Sequence, residues 1–225
     1  INKLATAVLN GEYMYIRLPG YQVWGNDVHQ YAQDIHDSIC KYAAYPIKGI
    51  VLDLRINTGG QISAMLGGLS LLLGEGKFGA AYTENGVIRY PFEIRENDFF
   101  MGDVRSADIT SNCTAGYHEL PIAVLIGPVT SSSGTITAIA FKNRPHTQFI
   151  GEATADGYST GNDYYVFGEN LTMNLATTYF GDRTDVVYKT VVKPDVVISG
   201  KDEFVNLSAD RKVNYALMWL KSIQH

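Results

Sequence analysis

The sequence predicts an α/β fold in which a parallel or mixed sheet is covered by helices. Two stretches of the same form carry this reading. Gly49-Ile-Val-Leu-Asp-Leu-Arg55 is followed by Asn57-Thr58-Gly59-Gly60 and an apolar segment over residues 62–73; Ile122-Ala-Val-Leu-Ile126 is followed by a polar turn over 127–134 and an apolar segment over 136–141. Short apolar runs bounded by turn residues suit strands buried on both faces, and repeated strand–turn–helix units imply parallel strands joined by helical crossovers. Composition agrees: 46% of the 225 residues are apolar and 18% charged, enough to bury one sizeable core.

Taken in order, residues 11–19 alternate as a strand does and stop at Pro19-Gly20. Asn26 suits the N-cap of a helix reaching about Tyr45, with Val28, Tyr31, Ala32, Ile35 and Ile39 on one face; Pro46 and Gly49 end it. Between the two strand–turn–helix units, residues 74–118 are rich in Gly, Asn, Asp and aromatics. They hold a hairpin signal at Asn85-Gly86 and read as an insertion forming a lid or surface wall. A short strand over 148–152, a Gly/Ser/Thr loop over 153–162 and paired strands over 163–167 and 171–178 follow the second unit, with a turn at Gly181-Asp182-Arg183. Residues 191–198 read as an edge strand because of Pro194, and 213–223 as a closing amphipathic helix. No linker, repeat or low-complexity segment interrupts the chain, which reads as a single domain over 1–225.

A net charge of −5 and the lack of any Lys/Arg run argue against a nucleic-acid partner. No apolar stretch reaches membrane-spanning length: residues 64–73 are too few and include two glycines. The sequence shows neither a signal peptide nor an initiating Met, and so reads as a mature piece of a longer protein. Cys40 and Cys113 lack metal-ligand spacing and are too few for a disulfide framework; one bridge or two free thiols both remain open. No cofactor or metal motif is present.

The chemistry points to the turn after the second strand. Ser131, Ser132 and Ser133 stand at the amino end of the following helix, where unpaired N–H groups converge and the helix dipole favours negative charge. Helix capping is the ordinary use of such residues; nucleophilic attack on a carbonyl, with those N–H groups holding the oxyanion, is the other. In a parallel sheet the turn at Gly59-Gly60 emerges on the same edge, and glycine lets a substrate approach its N–H closely. An ordinary tight turn is the competing reading of that pair.

Over nearly its whole length, in order, the sequence resembles the C-terminal processing, or tail-specific, serine peptidases, and within them the branch of the tricorn core and nisin-resistance proteases. Tyr15-Ile16-Arg17-Leu18-Pro19 is similar to the family's opening strand, residues 49–60 to its glycine-ended strand, 121–141 to its nucleophile segment, 149–154 to the next strand and Lys193-Pro194-Asp195-Val196-Val197 to the closing strand. Five motifs in register outweigh the capping reading. The resemblance implies the fold shared with ClpP and crotonase, a Ser132 nucleophile, and oxyanion donors from the Ser133 N–H and the Gly59 or Gly60 N–H; Ser131 and Ser133 are the rival nucleophiles. It implies a peptide or protein substrate, no cofactor, and an extracytoplasmic setting.

Two positions depart from the family pattern. Gly157 stands where many members carry a Lys base, and Thr135 where they often carry an acid. The tricorn-like branch uses a His from ahead of the opening strand, so the base is expected outside this chain. Other candidates are weaker. His29 and His36, flanked by Asp27, Asp34 and Asp37, read as a solvated helix face, and His146 as an exposed turn residue. His118 and Lys189 are possible supports from the insertion and from the segment before the closing strand, as are Asp156, Tyr158 and Ser159 beside the vacant lysine position. The alternatives to a peptidase are a catalytically inactive peptide-binding relative and, less well supported, an acyl-CoA enzyme on the same fold.

Overall fold

The structure is a computed structural model describing residues 2–113, 115–157 and 160–223. Strands β1 (Ala5–Leu9) and β2 (Tyr13–Arg17) open the chain, followed by helix α1 (Asp27–Cys40), strand β3 (Gly49–Asp53), and helices α2 (Ile62–Gly68) and α3 (Ser70–Leu73). Next come strands β4 (Gly76–Tyr82), β5 (Ile88–Arg95), β6 (Asp98–Met101) and β7 (Val104–Ala107). The second half holds β8 (Ile122–Ile126), α4 (Ser133–Ala140), β9 (Thr147–Gly151), β10 (Thr160–Phe167), β11 (Leu171–Asp182), β12 (Val187–Tyr188), β13 (Val196–Val197) and α5 (Arg211–Ser222).

Six strands form the central sheet in the order β1-β2-β3-β8-β9-β13, with β1 antiparallel to β2 and every other pair parallel. This is the mixed, helix-covered sheet expected. Its strands alternate between two cores. Met14, Ile16, Ile50, Leu52, Ile122 and Val124 face α1, α2 and α4, whereas Tyr13, Tyr15, Val51, Ala123 and Leu125 face Val213, Ala216 and Leu220 of α5. Burial on both faces is why β3 and β8 are apolar without a break. Strand β13, which follows Pro194-Asp195, lies at the sheet edge, where an edge strand was expected.

The segment over 74–118 supplies strands β4–β7 of a second, antiparallel sheet ordered β10-β11-β4-β5-β6-β7, with β12 beside β11. The hairpin expected at Asn85-Gly86 joins β4 to β5. The segment is thus half of a sheet completed by the β10–β11 hairpin 50 or more positions later in the chain, not a free-standing insertion.

Four local differences have physical causes. Strand β1 went unanticipated, although Asn10 and Gly11, at φ 52° and 76°, make the tight turn that pairs it with β2. Helix α1 stops at Cys40 rather than Tyr45: the chain tightens there into three-residue turns, Ala43 N–H to Cys40 C=O and Tyr45 N–H to Tyr42 C=O, and Cys40 is disulfide-bonded to Cys113. The helix expected over 62–73 breaks at Leu69, just after Gly67-Gly68. Those glycines admit close packing on α1, for a Cβ on Gly68 would lie 2.5 Å from the Ile35 Cβ. The strand expected over 191–198 pairs only through Val196 and Val197.

A buried ionic cluster fastens α5 beneath the C-terminal end of β3. The fully buried Arg55 guanidinium bonds both carboxylate oxygens of Asp53 (2.9 and 2.7 Å), Asp202 (2.7 Å) and Asp210 (2.7 Å). Tyr15 Oη donates to Asp53 (2.7 Å), and Lys212 Nζ bridges Asp202 and Glu152. Asp210 also caps α5, accepting from the N–H groups of Lys212 and Val213. Burial alone would raise the Asp210 carboxyl, but the Val213 N–H and the Arg55 guanidinium hold it below the usual carboxylate range. A carboxyl depressed on folding contributes stability that is complete above its unfolded pKa and is lost as pH falls through its folded pKa. Asp210→Ala, which removes one of three carboxylates around a buried guanidinium together with the cap of α5, is expected to lower unfolding free energy by about 2–4 kcal/mol at neutral pH. Urea titrations of the wild type and the variant check this, and the gap between them should close as the solution is acidified below the carboxylate range.

Candidate active site

Strands β3 and β8 are parallel neighbours, Ile50 opposite Ile122 through Asp53 opposite Leu125, so the turns that follow them leave the same sheet edge side by side. Those turns are sewn together. Thr130 Oγ1 donates to Leu54 C=O (2.9 Å) and accepts from Gly127 N–H (3.1 Å). Ser131 N–H donates to Asn57 C=O (3.0 Å), and Ser133 Oγ donates to Gly60 C=O (2.6 Å). Gly134 is required here, since a Cβ would lie 2.4 Å from the Asn57 carbonyl oxygen.

Ser132 occupies the N-cap position of α4, yet its side chain makes no capping bond, and among the described residues its Oγ has no hydrogen-bond partner. Its backbone sits at φ 52°, ψ −129°, a region costly for any residue with a Cβ, on the order of 1–3 kcal/mol. The Ser132 hydroxyl is thus not used as the cap of α4. Ser131 and Ser133 are engaged differently: the Ser131 N–H is spent on Asn57, and the Ser133 hydroxyl on Gly60.

The glycine pair abuts this serine. Gly59, at φ 98°, lies so close that an added Cβ would stand 2.6 Å from the Ser132 Cβ and 3.0 Å from its Oγ. Gly60, at φ 129°, is pressed against Tyr21, whose carbonyl oxygen would lie 2.0 Å from an added Cβ. The two amides differ. Gly59 N–H donates to Asn57 Oδ1 (2.9 Å). The bridge to Tyr21 uses Gly59 C=O and Gln61 N–H, so it leaves the Gly60 N–H uncommitted. Among the described residues neither the Gly60 nor the Ser133 N–H has an acceptor.

A cleft of about 390 Å³ opens over these groups. Gly60, Gln61, Ile62, Ser132, Ser133 and Ile136 form its floor. Tyr90, Phe92 and Met101 of the second sheet make one wall, and Gly161, Asn162, Tyr164 and Asn174 of the β10–β11 hairpin another. Trp24 and Tyr164, 66% and 60% exposed, stand at its mouth. No described lining residue is His, Lys, Arg, Asp or Glu. Burial raises the Tyr90 phenol, which stays neutral. No cluster of potential metal ligands occurs among the described residues.

Of the supporting residues named from sequence, His118, Lys189 and Asp156 are not in the cleft lining. His118 sits beside Gly74, ahead of β8 and so at the opposite end of that strand from Ser132. Lys189 is exposed, reaching the Glu84 carbonyl (3.4 Å) and the Tyr179 ring. Asp156 is exposed and accepts from Gly157 N–H, in the loop tied to the serine turn by Ala155 N–H to Thr130 C=O. Tyr158 and Ser159 lie outside the described residues. Thr135 is buried and donates to Thr130 C=O (3.3 Å). His36 is a correction: it is buried, 2.6 Å from Ser111 Oγ, and burial lowers its pKa. Its acidic neighbours on α1 concealed partners that come from distant segments. Asn57 went unremarked, although an Asn two residues ahead of a glycine is a familiar side-chain-to-backbone turn signal.

The family model of peptidase family S41 matches residues 12–198. The chain is 28% identical over 217 residues to the nisin-resistance protein of Lactococcus lactis subsp. lactis, covering 96% of this chain and 62% of that protein. It is 24% identical over 192 residues to a carboxy-terminal-processing protease of Bartonella bacilliformis, covering 84% of this chain and 39% of that one. This chain therefore spans less than two thirds of the length of either relative. Among solved structures, a lipoprotein from Streptococcus agalactiae has a similar fold, with a TM-score of 0.75 at 24% identity over 97% of this chain and 69% of that one.

Strain at residue 132 is measurable. Ser132→Gly is expected to be more stable than Ser132→Ala by about 1 kcal/mol, because glycine relieves the positive φ at some cost in chain entropy. Comparing the urea midpoints of the two variants checks this; equal midpoints would mean that the backbone relaxes.

Proposed function

The chain belongs to peptidase family S41, and on that premise we propose that it is the core of a serine peptidase acting by acyl transfer from Ser132. The observation that carries the reading is the uncapped, strained Ser132, which lines one cleft with Gly60 and Ser133, two residues whose amides are uncommitted. Ser132 Oγ attacks the scissile carbonyl and gives up its proton, and the amides hold the oxyanion. The amine leaves with a proton, and water hydrolyses the acyl-enzyme. Gly59 serves as the contact that keeps this corner free of side chains. Asp156, Tyr158, Ser159, Lys189 and His118 have no step assigned to them.

The proton acceptor comes from outside this chain. A serine hydroxyl is a weak nucleophile without a base, and the described lining holds none. A His carried by another part of the full-length protein fits the open cleft. That same lack favours the second reading, an inactive peptide binder. A fluorophosphonate probe on the full-length protein separates the two. Labelling that survives Ser131→Ala and is lost in Ser132→Ala supports the peptidase; no labelling of the wild type favours the binder.

Substrates are peptides or protein tails laid extended between Trp24 and the edge of β10. The uncharged lining selects uncharged residues around the scissile bond. An extracytoplasmic setting accords with the Cys40–Cys113 disulfide and with the lipoprotein and nisin-resistance relatives. No helix among the described residues is long and apolar enough to cross a membrane.

Trp24 reports on binding, since the chain has 2 tryptophans and Trp219 lies on α5, away from the cleft lining. In Ser132→Ala with Trp219→Phe, a peptide with uncharged apolar residues should shift the emission of Trp24, and the same peptide bearing Asp or Lys at those positions should bind at least about tenfold more weakly, the factor equivalent to about 1.4 kcal/mol. Equal affinities would refute the selectivity.

A further inference from the structure

We propose that Asn57 is a positioning residue that decides which backbone amide of the glycine turn serves the oxyanion; this rests on Ser132 being the nucleophile. Asn57 is fully buried and is bonded on three sides. Its Oδ1 accepts from Gly59 N–H (2.9 Å), its C=O accepts from Ser131 N–H (3.0 Å), and its N–H donates to Leu54 C=O (2.9 Å). Its Nδ2 lies 3.6 Å from Met65 Sδ, a weak acceptor that also takes Thr137 Oγ1 (3.7 Å). One residue thus joins the turn after β3 to the turn that carries the nucleophile.

The amide bookkeeping follows from chemistry. Gly59 packs against Ser132, and the next residue, Gly60, lines the cleft with it, so two successive amides belong to this corner. A buried donor without an acceptor is costly, so an unoccupied Gly59 N–H would turn toward whatever negative charge forms nearby and pull the turn with it. The Asn57 side chain satisfies that donor before substrate arrives. The Gly60 N–H, whose own carbonyl is pinned by Ser133 Oγ, remains as the fixed partner of the Ser133 N–H. Oxyanion stabilisation depends on donors that need no reorganisation during the reaction, so loss of the Oδ1 acceptor weakens transition-state binding more than substrate binding.

The test compares Asn57→Ser with Asn57→Ala in the full-length protein. Both leave nearly the same cavity, but a serine hydroxyl can accept the N–H two residues on, as an Asn side chain does. Asn57→Ala is expected to lower kcat by about 10²–10³-fold, as loss of an oxyanion donor does, with KM nearly unchanged. Asn57→Ser should recover at least about tenfold of that loss. Affinity for a peptide boronic acid, which mimics the tetrahedral state, should fall in step with kcat, while peptide affinity measured in the Ser132→Ala background stays constant. Equal kcat in the two variants, or KM rising in place of the fall in kcat, overturns the inference. Should Asn57→Ala not fold, amide NMR of the wild type decides: the boronic acid should shift the Gly60 resonance strongly and the Gly59 resonance little, and the reverse order overturns it. Activity that survives Ser132→Ala removes the nucleophile reading itself, whereas an inactive Ser132→Ala with indistinguishable Asn57 variants removes only the role of Asn57.

Discussion

The lateral hydrogen bonding between the turns after β3 and β8 is the constraint on which the rest of this structure depends. A parallel sheet brings two crossover turns to one edge but does not by itself orient them. Here Thr130, Ser131 and Ser133 on one turn meet Leu54, Asn57 and Gly60 on the other through three short bonds, that of Ser131 running between backbones. Ser132 is the residue those bonds leave out. Its unfavourable backbone persists because its neighbours on both sides are held, which is how strain survives in a folded protein.

Beneath that edge, the ionic cluster around Arg55 does a second job. It stands two residues before Asn57 and locks the end of β3 to α5 from the opposite face of the sheet. The turn is therefore gripped from below by charge and from the side by hydrogen bonds. The cleft above is different in kind, uncharged and lined by aromatic and amide side chains. Charge lies in the scaffold rather than in the described cleft lining, and backbone dipoles act most strongly where water and mobile charge are few.

Much of the fold was legible because burial on two faces leaves a plain trace: β3 and β8 are unbroken apolar runs followed by turn residues. The serine turn and glycine pair were legible for the same reason, as polar punctuation at fixed places in that pattern. What was hidden depended on distance in sequence. His36 looked solvated because its neighbours on α1 are acidic, while Ser70 and Ser111, which enclose it, come 34 and 75 positions later. Nothing local to Arg55 announces Asp202 and Asp210. Residue type could not tell a capping serine from an uncapped one, since the difference lies in the φ and ψ of Ser132. Nor could it show that a single Asn side chain would distinguish two adjacent glycines.

The span of the Arg55 cluster has a consequence for biosynthesis. Asp202 and Asp210 lie 147 and 155 positions after Arg55, so during synthesis these counter-charges emerge long after the strand they serve. Contacts of such range form late and slowly. Until α5 docks, the Arg55 guanidinium keeps Asp53 but lacks Asp210, and the face of β3 that packs on Val213, Ala216 and Leu220 stays uncovered. The support beneath the serine turn is thus among the later parts of this domain to be completed, although the strand it supports is among the earlier ones.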